Sequence, residues 1–301
     1  MDIVRSLTNI LLFPSGLFVM FSGLIFEWVE RKLIARMQNR IGPRWFQPIA
    51  DTFKLLAKEE IIPYGVNELL FNLLPVLALA GALTAALYVP MFGLPPTFSF
   101  TGDLIVVLYL LSMVTLCIGL AGSNTEDRFS LVGAVRALTQ VFSYEAPFLL
   151  ALLGPAIIAG SWQIDQIQAF AGGRWLLLTQ PLGFMVALIG LMGKLELPPF
   201  DAPEAETEIV AGAFTEYSGR GYAIFRLAKN VEMVVGLTLI AALYLGGVAN
   251  PVDFILKTLG LLLVLAIISA VLTRFRIDQV VRWWRFGALL PLAQLVLMIV
   301  F

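Results

Sequence analysis

Apolar residues run in long stretches along this chain, broken by short charged segments. A helix needs roughly 20 apolar residues to cross the hydrocarbon core of a bilayer. Eight windows reach that length, some only with their flanks: 10–29, 69–92, 103–123, 137–160, 176–195, 230–248, 254–273 and 284–301. The last is short, and Trp283 and Trp284 stand where interfacial tryptophans sit. Several windows hold a proline (Pro14, Pro75, Pro147, Pro155 and Pro291). Membrane helices accept proline where neighbours satisfy the freed carbonyls. The pattern predicts an all-α integral membrane protein, with about eight transmembrane helices and amphipathic cytoplasmic surface helices. No internal repeat or Gly/Ser linker divides it, so 1–301 reads as one polytopic membrane domain.

Composition sharpens that picture by exclusion. Charged residues make up 14% of the chain, against about a quarter in soluble domains. A formal net charge of −1 points neither to nucleic acid nor to an acidic substrate. There is no histidine and one cysteine, Cys117. On this chain alone that excludes an intrachain disulfide, a cysteine-based zinc site, a cysteine-ligated iron–sulfur cluster and a Ser-His-Asp triad. The stretch Ile10 to Phe26 runs on into charged residues without a small-residue cleavage site. It reads as the first span rather than as a cleavable signal peptide.

The basic residues orient the spans. The segments 30–68, 124–136, 194–229 and 274–285 fall on one side and hold 17 of the 20 Lys and Arg. Only Arg5, Arg174 and Lys257 fall elsewhere. The positive-inside rule then puts these segments in the cytoplasm and both termini outside a cell membrane.

The first of these segments carries Glu30, Arg31, Lys32, Arg36, Arg40 and Arg44. From Ile49 to Glu60, Ile49, Phe53, Leu56 and Ala57 recur at helical spacing, with Asp51, Lys54, Lys58 and Glu59 elsewhere. This predicts an amphipathic helix along the membrane surface. Basic anchoring to anionic lipid would by itself explain these residues. In the third segment, Asp201 or Ala202 would cap a helix with Pro203 at its first position. Glu204, Glu206 and Glu208 would then crowd its first turns. Complementing the helix dipole accounts for one or two acids there, at about 0.3–1 kcal/mol each. It leaves a third acid, on another face, unexplained.

Further charges sit in or at the ends of the spans. Glu145 falls within the fourth. Lys194 and Glu196 end the fifth, and Lys229 and Glu232 open the sixth. Snorkelling excuses a long lysine but not a short glutamate about two turns inside the fourth span. An acid of that kind usually faces a bundle interior and marks an ion or proton route.

These stretches resemble one family. Glu30-Arg31-Lys32, Gln38-Asn39-Arg40-Ile41-Gly42-Pro43, Gln47-Pro48-Ile49-Ala50-Asp51, Lys54 and Lys58-Glu59 carry part of the likeness. Ser143-Tyr144-Glu145, the run from Pro199 to Glu208 and Thr215-Glu216-Tyr217-Ser218-Gly219 carry the rest. They are similar to the membrane subunit at the heel of respiratory complex I, and to its relatives in membrane-bound NiFe hydrogenases. The resemblance spans nearly the whole chain. It implies a subunit that is not catalytic alone and holds no cofactor, with 4Fe-4S clusters and a NiFe centre on partner subunits. Those partners would be hydrogenase-like large and small subunits, a cluster-bearing subunit of the peripheral arm and antiporter-like membrane subunits.

By the same resemblance, Glu145, Glu204 and Glu206 map onto glutamates of an acidic channel, and Glu30, Arg31, Arg40 and Asp51 onto the region facing the peripheral arm. Position along the chain assigns Glu196, Glu208 and Glu232, with Lys194 and Lys229, to the same ion or proton route, and Arg36, Lys54 and Lys58 to the same interface. Three positions depart from the quinone-reducing pattern. Lys194 and Lys229 stand where glutamates are expected, and Leu197 where an arginine is usual. The departures favour a ferredoxin-dependent, ion-pumping hydrogenase. A sulfur-reducing relative and quinone-reducing complex I are the near alternatives. A free-standing transporter, which would show a midplane site and usually a repeat, is the distant one.

Overall fold

The computed structural model describes residues 8 and 10–300. Arg5 and the two chain ends, expected outside the membrane, lie beyond the described residues. The helices run α1 Gly16–Met37, α2 Gln47–Ala57, α3 Glu68–Ala86, α4 Asp103–Ser123, α5 Arg128–Ala159 and α6 Ile164–Ala171. They continue with α7 Pro181–Lys194, α8 Glu206–Ile209, α9 Gly219–Tyr244, α10 Pro251–Val271, α11 Ile277–Gly287 and α12 Leu289–Val300. Among the described residues there is no strand, only an isolated bridge between Met91 and Leu94.

The all-helical membrane architecture is therefore as expected. Helices α3, α4, α5, α9 and α10, and the stretch Ile277–Met298 through α11 and α12, are long and apolar enough to span a bilayer. The remaining two windows fall short for separate reasons. At 14 residues, α7 is short for a span. Helix α1 has 22 residues, but Glu27, Glu30, Arg31 and Lys32 charge its second half.

At the centre stands α9, whose apolar window is 94% buried. Its Val231, Val234, Val235 and Leu239 have no exposed surface. Helices α1, α3 and α10 pack around it. Gly23 sets how closely α1 approaches: a Cβ there would lie 2.9 Å from the Asn230 carbonyl. A second close approach links two inner segments. Tyr217 stacks on Phe71 with ring centroids 4.1 Å apart, and its hydroxyl donates to the Phe71 carbonyl. Two residues on, Gly219 has φ +57°, and a Cβ there would lie 2.9 Å from the Glu59 carbonyl oxygen. The Thr215–Gly219 motif thus fastens the segment before α9 to the chain just after α2.

Several boundaries differ from the sequence expectation. The helix expected from Pro203 does not form. Ala202–Glu204 is a 3₁₀ turn, and only the four residues of α8 follow. Ala205 (φ −59°, ψ 83°) leaves the helical path directly after that turn. Val210 (φ +60°) and Gly212 (φ +53°) then turn the chain back after a single helical turn. The segment from Glu30 was expected outside the span, yet α1 continues to Met37. Arg31 reaches back to Glu27 across one turn and supports that continuation. Asp127 caps α5 by accepting from the Ser130 amide at 2.8 Å, so Arg128 and Arg136 lie on that helix. With 32 residues, α5 is about 48 Å long and outruns a hydrocarbon core of about 30 Å. Arg220, Arg226 and Lys229 likewise lie on α9 rather than in a loop. The last basic segment is largely helical, as α11.

Candidate functional site: a charged cavity and buried lysine–glutamate pairs

Two lysines organise the interior. Lys194, the last residue of α7, has a fully buried side chain. Its Nζ donates to Ser112 Oγ on α4 at 2.8 Å and lies 3.5 Å from Glu145 Oε2 on α5. Ser112 Oγ also lies 2.5 Å from Glu145 Oε1. Lys229 on α9 pairs with Glu196 at 2.9 Å and with Glu204 at 2.7 Å. Glu196 has φ +54°, a left-handed conformation uncommon for a side-chain-bearing residue. That turn follows α7, and Glu196 then reaches Lys229.

A third acid stands apart from these pairs. Glu232 is 1% exposed, and neither of its carboxylate oxygens has a hydrogen-bond partner. It lies three residues beyond Lys229 on α9, one turn deeper into the bundle. Replacing a buried ion pair by well-packed apolar residues is often neutral or stabilising. Stability is therefore a weak reason to keep so many charges inside.

The Lys229 pairs open onto a cavity of about 450 Å³. Five acids line it, Glu27, Glu30, Asp51, Glu204 and Glu206, with the bases Arg31, Arg226 and Lys229. Leu197, Phe214 and Tyr222 are its main apolar walls. Glu27 closes one end. It pairs with Arg226, accepts from Asn230 Nδ2 at 2.7 Å and has Arg31 within 3.4 Å. Arg31 also lies 3.8 Å from Asp51, which joins α1 to α2.

The expected route residues thus fall into separate places. Glu196, Glu204 and Lys229 meet directly, Glu206 shares their cavity, and Glu145 meets Lys194. Glu208 lies elsewhere. It is exposed and pairs with Arg136 at 2.8 Å, and that guanidinium holds its carboxyl below the usual range. Nearby, Arg274 donates to Asp201 Oδ2 at 2.6 Å, which raises the guanidinium's own proton affinity. Of the expected docking residues, Glu30 is buried in the cavity wall, and Arg31 and Asp51 line its rim. Arg36, Arg40, Lys54 and Lys58 are exposed. So is Phe53, at 68%, although helical spacing assigned it to the apolar face of α2.

Three contributors escaped the sequence reading, Ser112, Arg226 and Asn230, whereas Glu27 was legible with Glu30 as a charge ending the first span. Ser112 is one hydroxyl in an apolar span. Arg226 and Asn230 join Glu27 from some 200 residues away, at no fixed spacing. Among the described residues, no group of three or more acid or cysteine side chains is arranged to hold a metal ion.

A multi-span helical bundle that holds a charged cavity and buried ion pairs defines a polytopic membrane protein with charge kept in its interior. Comparison with known proteins makes that class specific. The family model described as NADH dehydrogenase matches residues 10–301. The chain is 38% identical over 299 residues to the H subunit of the NADH-quinone oxidoreductase of Thermomicrobium roseum, covering 89% of this chain and 87% of the relative. It is 36% identical over 292 residues to its counterpart in Dehalococcoides mccartyi, covering 93% and 82%. A chain in the solved structure of the membrane-bound sulfane sulfur reductase, an archaeal respiratory membrane complex, superposes with a TM-score of 0.88. That match covers 98% of both chains at 26% identity. The chain belongs to the NADH dehydrogenase family, as the H-type membrane component of a complex I-like respiratory complex.

Proposed function

We propose that this chain is the membrane-anchoring and coupling subunit of a ferredoxin-dependent, ion-pumping membrane-bound hydrogenase. The charged cavity is the observation that supports this reading best. A quinone is a flat ring with two carbonyl acceptors on a hydrocarbon tail. A site for it calls for mainly apolar walls with a few placed polar groups. Five acids and three bases around 450 Å³ suit water and protons instead. Leu197 adds to this, because it lines the cavity where the quinone-type pattern has an arginine.

In this reading electrons stay on the partner subunits and never cross this chain. On those partners, 4Fe-4S clusters would accept electrons from reduced ferredoxin and a NiFe centre would supply the chemistry of proton reduction. The redox event displaces segments 30–60 and 197–229, which meet where Gly219 packs against the Glu59 carbonyl. Displacement lengthens or shortens the Lys229 pairs, and the acids beyond take up or release protons. The route runs from Glu204 and Glu206 through Glu196 and Glu232 to Glu145, and the antiporter-like neighbours move ions in step. Moving one charge against 100 mV requires about 2.3 kcal/mol. A change of roughly two pKa units along the route is of that size.

The test replaces Glu145 by Gln in the assembled complex. Hydrogen evolution should persist while ion transport falls. Unchanged transport with unchanged hydrogen evolution would remove Glu145 from the route. A second reading, sulfur reduction, is favoured by the likeness to the sulfane sulfur reductase chain and assigns this subunit the same role. Sulfide rather than hydrogen as the product would select it. The names of the curated relatives favour a quinone-reducing complex, and the charged lining of the cavity argues against that.

A further inference from the structure

Away from the charged cavity, α11 lies between two open grooves. One, of about 470 Å³, follows a helical stripe through Arg282, Trp283, Phe286, Gly287 and Leu290. The other, of about 480 Å³, is lined by Phe142 and Ser143 of α5 with Val281 and Arg285 of α11. Each has mostly apolar walls and one arginine. The salt bridges among the described residues engage Arg31, Arg136, Arg226, Arg274, Lys194, Lys229 and Lys257. Arg282 and Arg285 take part in none of them, and both are exposed. Asp278, one turn before Arg282, lines the Arg274–Arg276 surface instead. Arg282 and Arg285 lie in the first half of the Ile277–Met298 stretch, on the charged helix α11 before apolar α12, and their exposed side chains are long enough to reach headgroup level. Phe142 (77% exposed) and Phe286 (63%) stand open where acyl chains would run.

We propose that α11 is a binding site for anionic phospholipids, with Arg282 and Arg285 each holding a headgroup phosphate and the two grooves taking the acyl chains. Arginine matches phosphate bidentately, and these two have no internal carboxylate to compete for them. A free phosphate would leave the grooves unused, so the ligand is a lipid. The site is independent of which electron acceptor the complex uses.

The test uses the intact complex, purified in detergent and stripped of loosely held lipid. It is titrated with phosphatidylglycerol or phosphatidylcholine and read by native mass spectrometry. Phosphatidylglycerol should bind saturably and be retained in preference, by about five-fold for each arginine engaged. R282Q and R285Q should each lose about that factor, and R282K should keep a preference for the anionic lipid but a weaker one than the wild type, because lysine cannot make the bidentate contact. Equal retention of both lipids, or glutamine variants that bind like the wild type, would overturn the proposal. If a variant fails to assemble, the wild-type preference still decides. A photoreactive residue at position 286 should crosslink to lipid. Crosslinking to a neighbouring subunit instead would mean that a protein covers the groove, and the proposal would fall.

Discussion

Replacing Lys194 by Met removes the cation that faces Glu145 inside the bundle. The Lys194 side chain is fully buried, and that of Glu145 is 19% exposed. Breaking a buried pair from one side leaves the other charge without its partner and costs about 3–5 kcal/mol. The partial exposure of Glu145 puts the expected penalty at the lower end, about 3 kcal/mol. Thermal unfolding of the purified complex measures this against the wild type. Adding Glu145→Gln should recover most of the loss, because the double variant no longer leaves this carboxylate unpaired. A K194M complex as stable as the wild type, or a double variant as unstable as K194M, would refute the reasoning.

Three further outcomes follow from the same geometry. Gly23→Val should push α1 off α9 and break the Glu27 contacts with Arg226 and Asn230. The cost is about 1–3 kcal/mol, and reduced hydrogen-exchange protection in α1 would reveal it. The Arg136–Glu208 pair should show a Glu208 titration midpoint below that of a free glutamate, by NMR or infrared difference spectroscopy, and R136Q should restore the ordinary value. Because the folded value is depressed, the pair steadies the segment above the unfolded glutamate range and fades as pH falls through the lowered value. Tyr217→Ala removes the stack on Phe71 and should loosen the attachment of segment 197–229 to α3. Electron transfer should then lose its link to ion transport while the bundle stays assembled, as measured by the ratio of ions moved to electrons passed.

Much of the fold was legible because hydrocarbon thickness imposes a length on every spanning helix. The eight windows each found a helix, and their errors lie at the ends, where other forces act. Asp127 starts α5 early through its side-chain cap, which no hydropathy window registers. A non-helical Ala205 and the left-handed Val210 and Gly212 stop the helix expected at Pro203, so local backbone conformation overrode the dipole argument. Lys194, Lys229, Glu145 and Glu232 were legible as charges out of place in a membrane. Their partners were not. Lys194 meets Glu145 across 49 residues and Ser112 across 82, and such pairings depend on how helices pack. Glu208 was grouped with Glu204 and Glu206 by spacing alone, and the broken helix sends it to Arg136.

The most direct test of the central claim is an assay of the purified complex with reduced ferredoxin as electron donor. The expected result is hydrogen evolution with coupled ion transport, unaffected by added quinone or by inhibitors that compete for quinone sites. Sulfide formed from a sulfane-sulfur acceptor would preserve the coupling role while selecting the other acceptor. Turnover that requires quinone, with inhibitor binding lost when the Leu197 wall of the cavity is altered, would contradict the claim.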